Sequence, residues 1–275
     1  MARRISARTI GVAALIAALA WLNLFQYFAK PGPPGEPSPG GPAKVDLKQD
    51  RQVIDRFHEL AYDQQFHFMS AGGDFQTATR DYTPSKWLGI VTQQNPADAW
   101  VHQEIITEQK PDLIVETGTL LGGGALLWAT ILEQVNPEGR VLTIDIEDRV
   151  KGAKDVPLFQ RRIDRIVASS TAPGTVAEVK RRAAGKAVLL ILDSNHTRDH
   201  VLAELRAYAP LVKVGGYVIV QDSNVNGHPL LPGHGPGPYE AIEAFLKEDG
   251  RFVADRSRER FLFTMHPMGY LKRVK

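Results

Sequence analysis

The sequence predicts an α/β fold built on an open, Rossmann-like sheet of seven strands, the last two antiparallel. Three observations carry that prediction. Apolar runs alternate with helical patterns through the second half of the chain, the order of successive β/α units. Two of those runs, Ala187 to Leu192 and Tyr217 to Val220, are unbroken, as in strands buried on both faces. In Val115-Glu-Thr-Gly-Thr-Leu-Leu-Gly-Gly-Gly124 an apolar run passes through a glycine turn into a helical run, Ala125 to Val135. Such a turn lets a ligand come close to the backbone, because glycine has no Cβ and tolerates positive φ.

Composition narrows the classes. The 275 residues, 43% of them hydrophobic, supply one large core and too little for two comfortable domains. A formal net charge of +2 leaves no basic field, so no nucleic-acid partner is expected. The absence of cysteine excludes disulfides, thiolate metal sites and a cysteine nucleophile.

At the N-terminus, Arg3, Arg4 and Arg8 precede an uncharged run from Thr9 to Ala29, closed by Lys30. A helix over that run is roughly 30 Å long, about one bilayer core. Residues 1–30 therefore read as a single-pass membrane anchor, an N-terminal transmembrane helix. Ala18-Leu19-Ala20 keeps a cleaved signal peptide open, although apolar residues continue past it to Phe28. The arginines ahead of the run place the N-terminus inside and the domain outside. Residues 31–44 are rich in proline and glycine and read as an extended linker, with residues 45–275 as the catalytic domain.

Within that domain, 47–69 suggest an amphipathic helix, 81–89 a loop and Ala97 to Gln109 the helix feeding the first strand. Strands are predicted at 112–117, 140–146, 163–169, 187–193 and 216–222. The runs Arg251 to Ala254 and Phe261 to Met265 stand too close for a parallel crossover and are predicted to form a hairpin. Five β/α units and an antiparallel hairpin suit the sheet of class I S-adenosylmethionine-dependent methyltransferases better than that of dinucleotide-binding proteins. The turn agrees, since Gly118 and Gly122 stand four apart and no lysine follows, unlike G-x-G-x-x-G or a P-loop.

Ligands of open α/β sheets bind beyond the carboxyl ends of the strands. Glu116, Gly118, Thr119 and Gly122 are accordingly expected at the methionine end of the cofactor. Asp145 suits the two ribose hydroxyls, since a carboxylate accepts from both. Ser169 and Ser170 fall near the adenine or ribose edge. Asp193 and His196 are three apart at the next strand end, and a histidine there can take the proton of a hydroxyl nucleophile. Asp193 and Asp222 offer hard oxygen ligands for Mg²⁺. The alternative at each position is a helix cap or a core contact. His200 reads as structural. His228 and His234 lie in a long loop, Gln221 to Pro238, on the same side of the sheet.

The blocks Glu116-Thr-Gly-Thr119, Leu192-Asp-Ser-Asn-His-Thr-Arg-Asp-His-Val-Leu202, Asn224-Val-Asn-Gly-His-Pro229, Gly235-Pro-Gly-Pro238 and Gly269-Tyr-Leu-Lys-Arg273 resemble the cephalosporin hydroxylase family over roughly residues 50–273. Despite its name, that family is similar to class I O-methyltransferases that act on antibiotic and sugar hydroxyls. The resemblance implies S-adenosyl-L-methionine as cofactor and a hydroxyl of a small molecule, sugar or lipid-linked glycan as acceptor. It also implies Mg²⁺ on Asp193, Gln221 and Asp222, with His196 as base. Two departures matter: Asn195 stands where the family commonly has aspartate, and Gln221 where it has glutamate. Losing the second carboxylate weakens the expected metal site. Because S-adenosylmethionine is a cytosolic cofactor, it argues against placing the domain outside, and the side of the membrane stays open, as does homo-oligomerisation. Two other functions compete: a membrane-anchored binding protein without activity, and a 2-oxoglutarate hydroxylase, for which His102-Gln-Glu104 is the H-x-[DE] match.

Overall fold

The structure, a computed structural model, describes residues 51–61 and 85–275. The anchor, the linker, the outer parts of the 47–69 helix and residues 81–84 of the expected loop lie outside the described residues. Residues 51–61 are helical and bury His58, whose Nε2 lies 3.3 Å from the Met265 sulfur. Among the described residues, no helix is long and apolar enough to cross a membrane.

The part of the expected loop that is described is a small antiparallel ladder, β1 (Lys86–Trp87) with β2 (Ile90–Val91). Helix α1 (Pro96–Gln109) starts where the sequence says it should. The Asn95 side chain accepts the Ala97 amide at 3.0 Å, and Pro96 fills the first turn without losing a hydrogen bond. The β/α units then follow in order: β3 (Leu113–Thr117), α2 (Gly123–Val135), β4 (Arg140–Asp145), α3 (Pro157–Arg162), β5 (Ile163–Val167), α4 (Pro173–Ala183), β6 (Val188–Leu192), α5 (Arg198–Tyr208) and β7 (Tyr217–Val220). Helix α6 (Pro238–Glu248) leads to β8 (Phe252–Ala254) and β9 (Tyr270–Arg273).

Seven strands form one sheet in the order β5-β4-β3-β6-β7-β9-β8. The first five are parallel, and β9 runs antiparallel to both β7 and β8. One face carries Leu113, Val115 and Leu190 against Val179, Leu205 and Phe245 of α4, α5 and α6. The other carries Ile114, Leu189 and Ile191 against Ile105, Trp128 and Leu132 of α1 and α2. Both faces are covered, which is why these strands read as continuous apolar runs.

The expected hairpin needs correction in its second strand. That strand is Tyr270–Arg273, not 261–265. Phe263 and Met265 are apolar because they pack on Val225, Leu230 and Ala61, away from the sheet. Their segment is tied to α1 instead: the Asp98 carboxylate accepts the Met265 amide at 2.9 Å and the Thr264 hydroxyl.

Candidate active site

Strand order reverses between β3 and β6, so the crevice of an open sheet is expected at their carboxyl ends. A cleft of about 580 Å³ opens there. Gly118, Leu120, Asp145 and Ser170 line one part, and Asp193, His196, Gln221 and Asp222 another. Seven residues singled out from the sequence thus meet in one cavity.

The glycine turn is held from below. Gly118 N–H donates to Ile144 O at 2.8 Å, and Leu120 N–H donates to Asp145 Oδ2 at 2.8 Å. Asp145 Oδ1 accepts the Glu147 amide at 3.0 Å. Each carboxylate oxygen keeps a second lone pair for a ligand in the cleft. Gly118 has φ 89°, and a Cβ there would lie 1.9 Å from the Asp193 carbonyl oxygen. The close approach that demands this glycine is therefore between two loops of the protein.

Four expected cofactor residues do not line the cleft. Glu116 is the main correction. It precedes the last residue of β3 and shares the face of Ile114, so its carboxyl turns beneath the glycine turn toward α2. There Oε1 accepts Trp128 Nε1–H at 2.7 Å and Oε2 meets the Thr143 hydroxyl at 2.6 Å. Burial pushes its pKa up to about 8, against these two hydrogen bonds, with Asp193 and Asp145 adding to the rise. Thr119 is buried on Thr143 at 2.6 Å. Gly122 leaves room for Phe159, which a Cβ would meet at 2.9 Å. Ser169 turns to Thr171 in its own loop at 3.1 Å.

His196 sits between two acids. Its Nε2 lies 3.4 Å from Asp193 Oδ1 and 3.7 Å from Asp222 Oδ2. Burial alone would lower its pKa; the Asp193 contact and the Asp222 charge outweigh that and raise it to about 9. Asp193 is itself pushed up by burial, against the His196 hydrogen bond. One ligand atom each from Asp193, His196 and Asp222 lie within 4.8 Å of one another, a spacing a small cation can bridge. Gln221 lines the cleft, and its Oε1 accepts Gln94 Nε2–H at 3.0 Å, which leaves it one lone pair.

Three neighbours escaped the sequence reading. Gln94, between β2 and α1, belongs to no motif. Glu204 is wholly buried and accepts from Ser170 Oγ at 2.5 Å and Ser194 Oγ at 2.7 Å, tying two cleft loops to α5. Its signal was an acid inside the apolar stripe of Val201, Leu205 and Tyr208. His266 accepts the Asp222 amide and had no signal at all. The H-x-[DE] pair comes apart: His102 is wholly buried against Trp128, with burial pushing its pKa down, while Glu104 pairs with Arg260 at the surface.

The backbone is similar to solved structures of CmcI. One described as a Mg–SAM complex superposes with a TM-score of 0.55 at 18% identity, covering 92% of this chain and 96% of that one. An apo CmcI structure gives a TM-score of 0.54 at 20% identity. These likenesses establish the class I methyltransferase fold. The family model for rhamnosyl O-methyltransferase/CmcI matches residues 80–274. The rhamnosyl O-methyltransferase of Mycobacterium bovis (strain BCG / Pasteur 1173P2) is 40% identical over 202 residues, covering 70% of this chain and 79% of that protein. Its counterpart in Mycobacterium leprae (strain TN) is 39% identical over 199 residues. The chain belongs to the rhamnosyl O-methyltransferase/CmcI family, and with it to the S-adenosylmethionine-dependent O-methyltransferases.

Proposed function

We propose that this chain transfers the methyl group of S-adenosylmethionine to a hydroxyl of a rhamnosyl residue in a glycan or glycolipid. The observation that carries the reading is His196, held between Asp193 and Asp222 in the cleft beside Gly118 and Asp145. The rhamnosyl acceptor is taken from the relatives' activity. In this reading the glycine turn and Asp145 hold the cofactor, with Asp145 on the ribose hydroxyls and Ser170 at the nucleoside end. The acceptor oxygen attacks the methyl carbon in line as the carbon–sulfur bond breaks, leaving S-adenosylhomocysteine. The hydroxyl proton passes to the neutral form of His196, and the two acids stabilise the imidazolium formed; because they raise its pKa to about 9, transfer should quicken as pH rises toward that value. Most of the acceleration comes from positioning the two reactants.

A Mg²⁺ fits the carboxylates of Asp193 and Asp222. When bound it would polarise acceptor oxygens and lower their pKa. Gln221 could offer only the lone pair that Gln94 leaves on its oxygen, and no charge. Residues 1–30 are read as an anchor that keeps the enzyme at a membrane, where a lipid-linked acceptor would lie. Alkaline carbonate extraction should leave the full chain in the membrane fraction, and release of the protein would refute the anchor.

The function is tested with methyl-labelled S-adenosylmethionine and rhamnosides bearing one free hydroxyl each. Mass spectrometry should find a methylated sugar and an equal yield of S-adenosylhomocysteine. Cofactor binding without transfer to any rhamnoside, but with transfer to a different sugar, would remove the rhamnosyl assignment.

A further inference from the structure

Asp222 is held in place from outside the cleft. It leaves β7 with φ 51°, in the left-handed region, which aspartate enters more readily than most residues. Gln221 N–H still pairs with Leu192 O at 2.9 Å, but the next amide turns away: Asp222 N–H donates to His266 Nδ1 at 3.1 Å. An imidazole nitrogen that accepts carries no proton, so the proton of neutral His266 is on Nε2. Behind Nε2, at 3.9 Å and beyond hydrogen-bond reach, lies Oδ2 of the buried Asp98.

Asp98 is fixed in turn. Its carboxylate accepts from the Met265 amide and the Tyr270 hydroxyl, each at 2.9 Å. The His266 ring is buried and stacks on His102, with centroids 5.3 Å apart and planes at 14°. The turn that carries it is docked on the sheet, since Gly269 N–H donates to His266 O and Val220 N–H to Gly269 O, both at 2.8 Å. A Cβ on Gly269 would lie 2.2 Å from Val220 O, which is why the turn needs glycine at that contact. It therefore meets β7 two residues ahead of Asp222.

We propose that His266 is a positioning residue for this reaction. Its Nδ1 clamps the Asp222 amide and so aims the Asp222 carboxylate at His196. Asp222 Oδ2 and His196 Nε2 are 3.7 Å apart, and a change of backbone conformation at 222 would carry the carboxylate away. The kinetic half of this proposal rests on the methyl-transfer reading above, and the clamp itself does not.

Three variants of the full chain separate the clamp from mere packing: His266→Asn, His266→Gln and His266→Leu. Asparagine places an acceptor oxygen where Nδ1 stood, whereas glutamine places its acceptor near Nε2. Amide hydrogen exchange at Asp222, read by NMR, should stay slow in His266→Asn and become roughly tenfold faster in His266→Gln and His266→Leu. With S-adenosylmethionine and a rhamnoside acceptor, kcat should fall about tenfold or more in those two and recover in His266→Asn, while cofactor affinity stays near wild type. Equal losses in the asparagine and glutamine variants would overturn the clamp. So would unchanged exchange at Asp222 in a folded His266→Gln protein. The exchange pattern without methyl transfer by the wild type would uphold the clamp and sink the acceptor assignment instead.

Discussion

Replacing Glu116 with glutamine should remove a pH dependence of stability that the wild type carries. The carboxyl is buried, and its folded-state pKa is raised from the ordinary 4.5 to about 8. Between those values the folded protein holds a proton that the unfolded chain has released. Unfolding therefore sheds a proton, and stability falls as pH rises. The contribution is fully present below about pH 4.5 and is lost as pH passes through about 8. Each pH unit in that window is worth about 1.4 kcal/mol, so a rise from pH 5.5 to 7.5 should cost about 3 kcal/mol. Glutamine copies the neutral acid: its oxygen accepts Trp128 Nε1–H, and its amide donates to the Thr143 hydroxyl, which passes its own proton to Thr119. The assay is urea unfolding of both proteins at several pH values. Groups that do not feel Glu116 act alike in both, so the difference between the curves reports Glu116 together with its coupling to Asp193 and Asp145. Parallel curves would mean that Glu116 is ionised in the fold and that its burial carries no such cost.

Three further outcomes follow. His196→Ala should lower single-turnover methyl transfer by about 10²- to 10⁴-fold with cofactor affinity nearly intact, and unchanged turnover would end its role as base. Gln221→Glu should tighten Mg²⁺ binding by adding a carboxylate beside Asp193 and Asp222, as calorimetry can measure; a tight wild-type site that the change leaves alone would refute this view of position 221. Gly118→Ala should destabilise the domain by several kcal/mol in thermal or urea unfolding, because its Cβ would lie 1.9 Å from the Asp193 carbonyl at a φ of 89°, and a near-neutral result would show that the loops part freely.

The parallel half of the sheet could be read almost residue by residue. Strands buried on both faces must be continuously apolar, and glycine, proline and capping asparagine mark their ends. The antiparallel end was harder. Tyr270–Arg273 ends in two charged residues, while in the more apolar run 261–265 Phe263 and Met265 pack on Ala61, Val225 and Leu230, and Phe261 and Leu262 are exposed. Apolar content shows neither that every residue of a segment is buried nor against which partner it packs. The same limit applied in the cleft. Asp145, Asp193 and Asp222 were legible because parallel strands bring their ends to one edge. The direction of Glu116 depended on which face holds Trp128. Gln94 and His266 reach the site from segments far along the chain, and no local pattern announces such a meeting.

Strand β9 lies between β7 and β8, although the ribosome makes it after both. Until residues 270–273 emerge, β7 exposes a row of unpaired amides and carbonyls, and β8 has no place to add. Synthesis therefore passes through a stage in which most of the domain exists with an open sheet edge, the kind of surface that chaperones shield and that neighbouring nascent chains can zip onto. The same insertion makes the final strand a keystone. A fusion or deletion that disturbs it would cost two strand pairings at once, along with the turn beside it that carries His266.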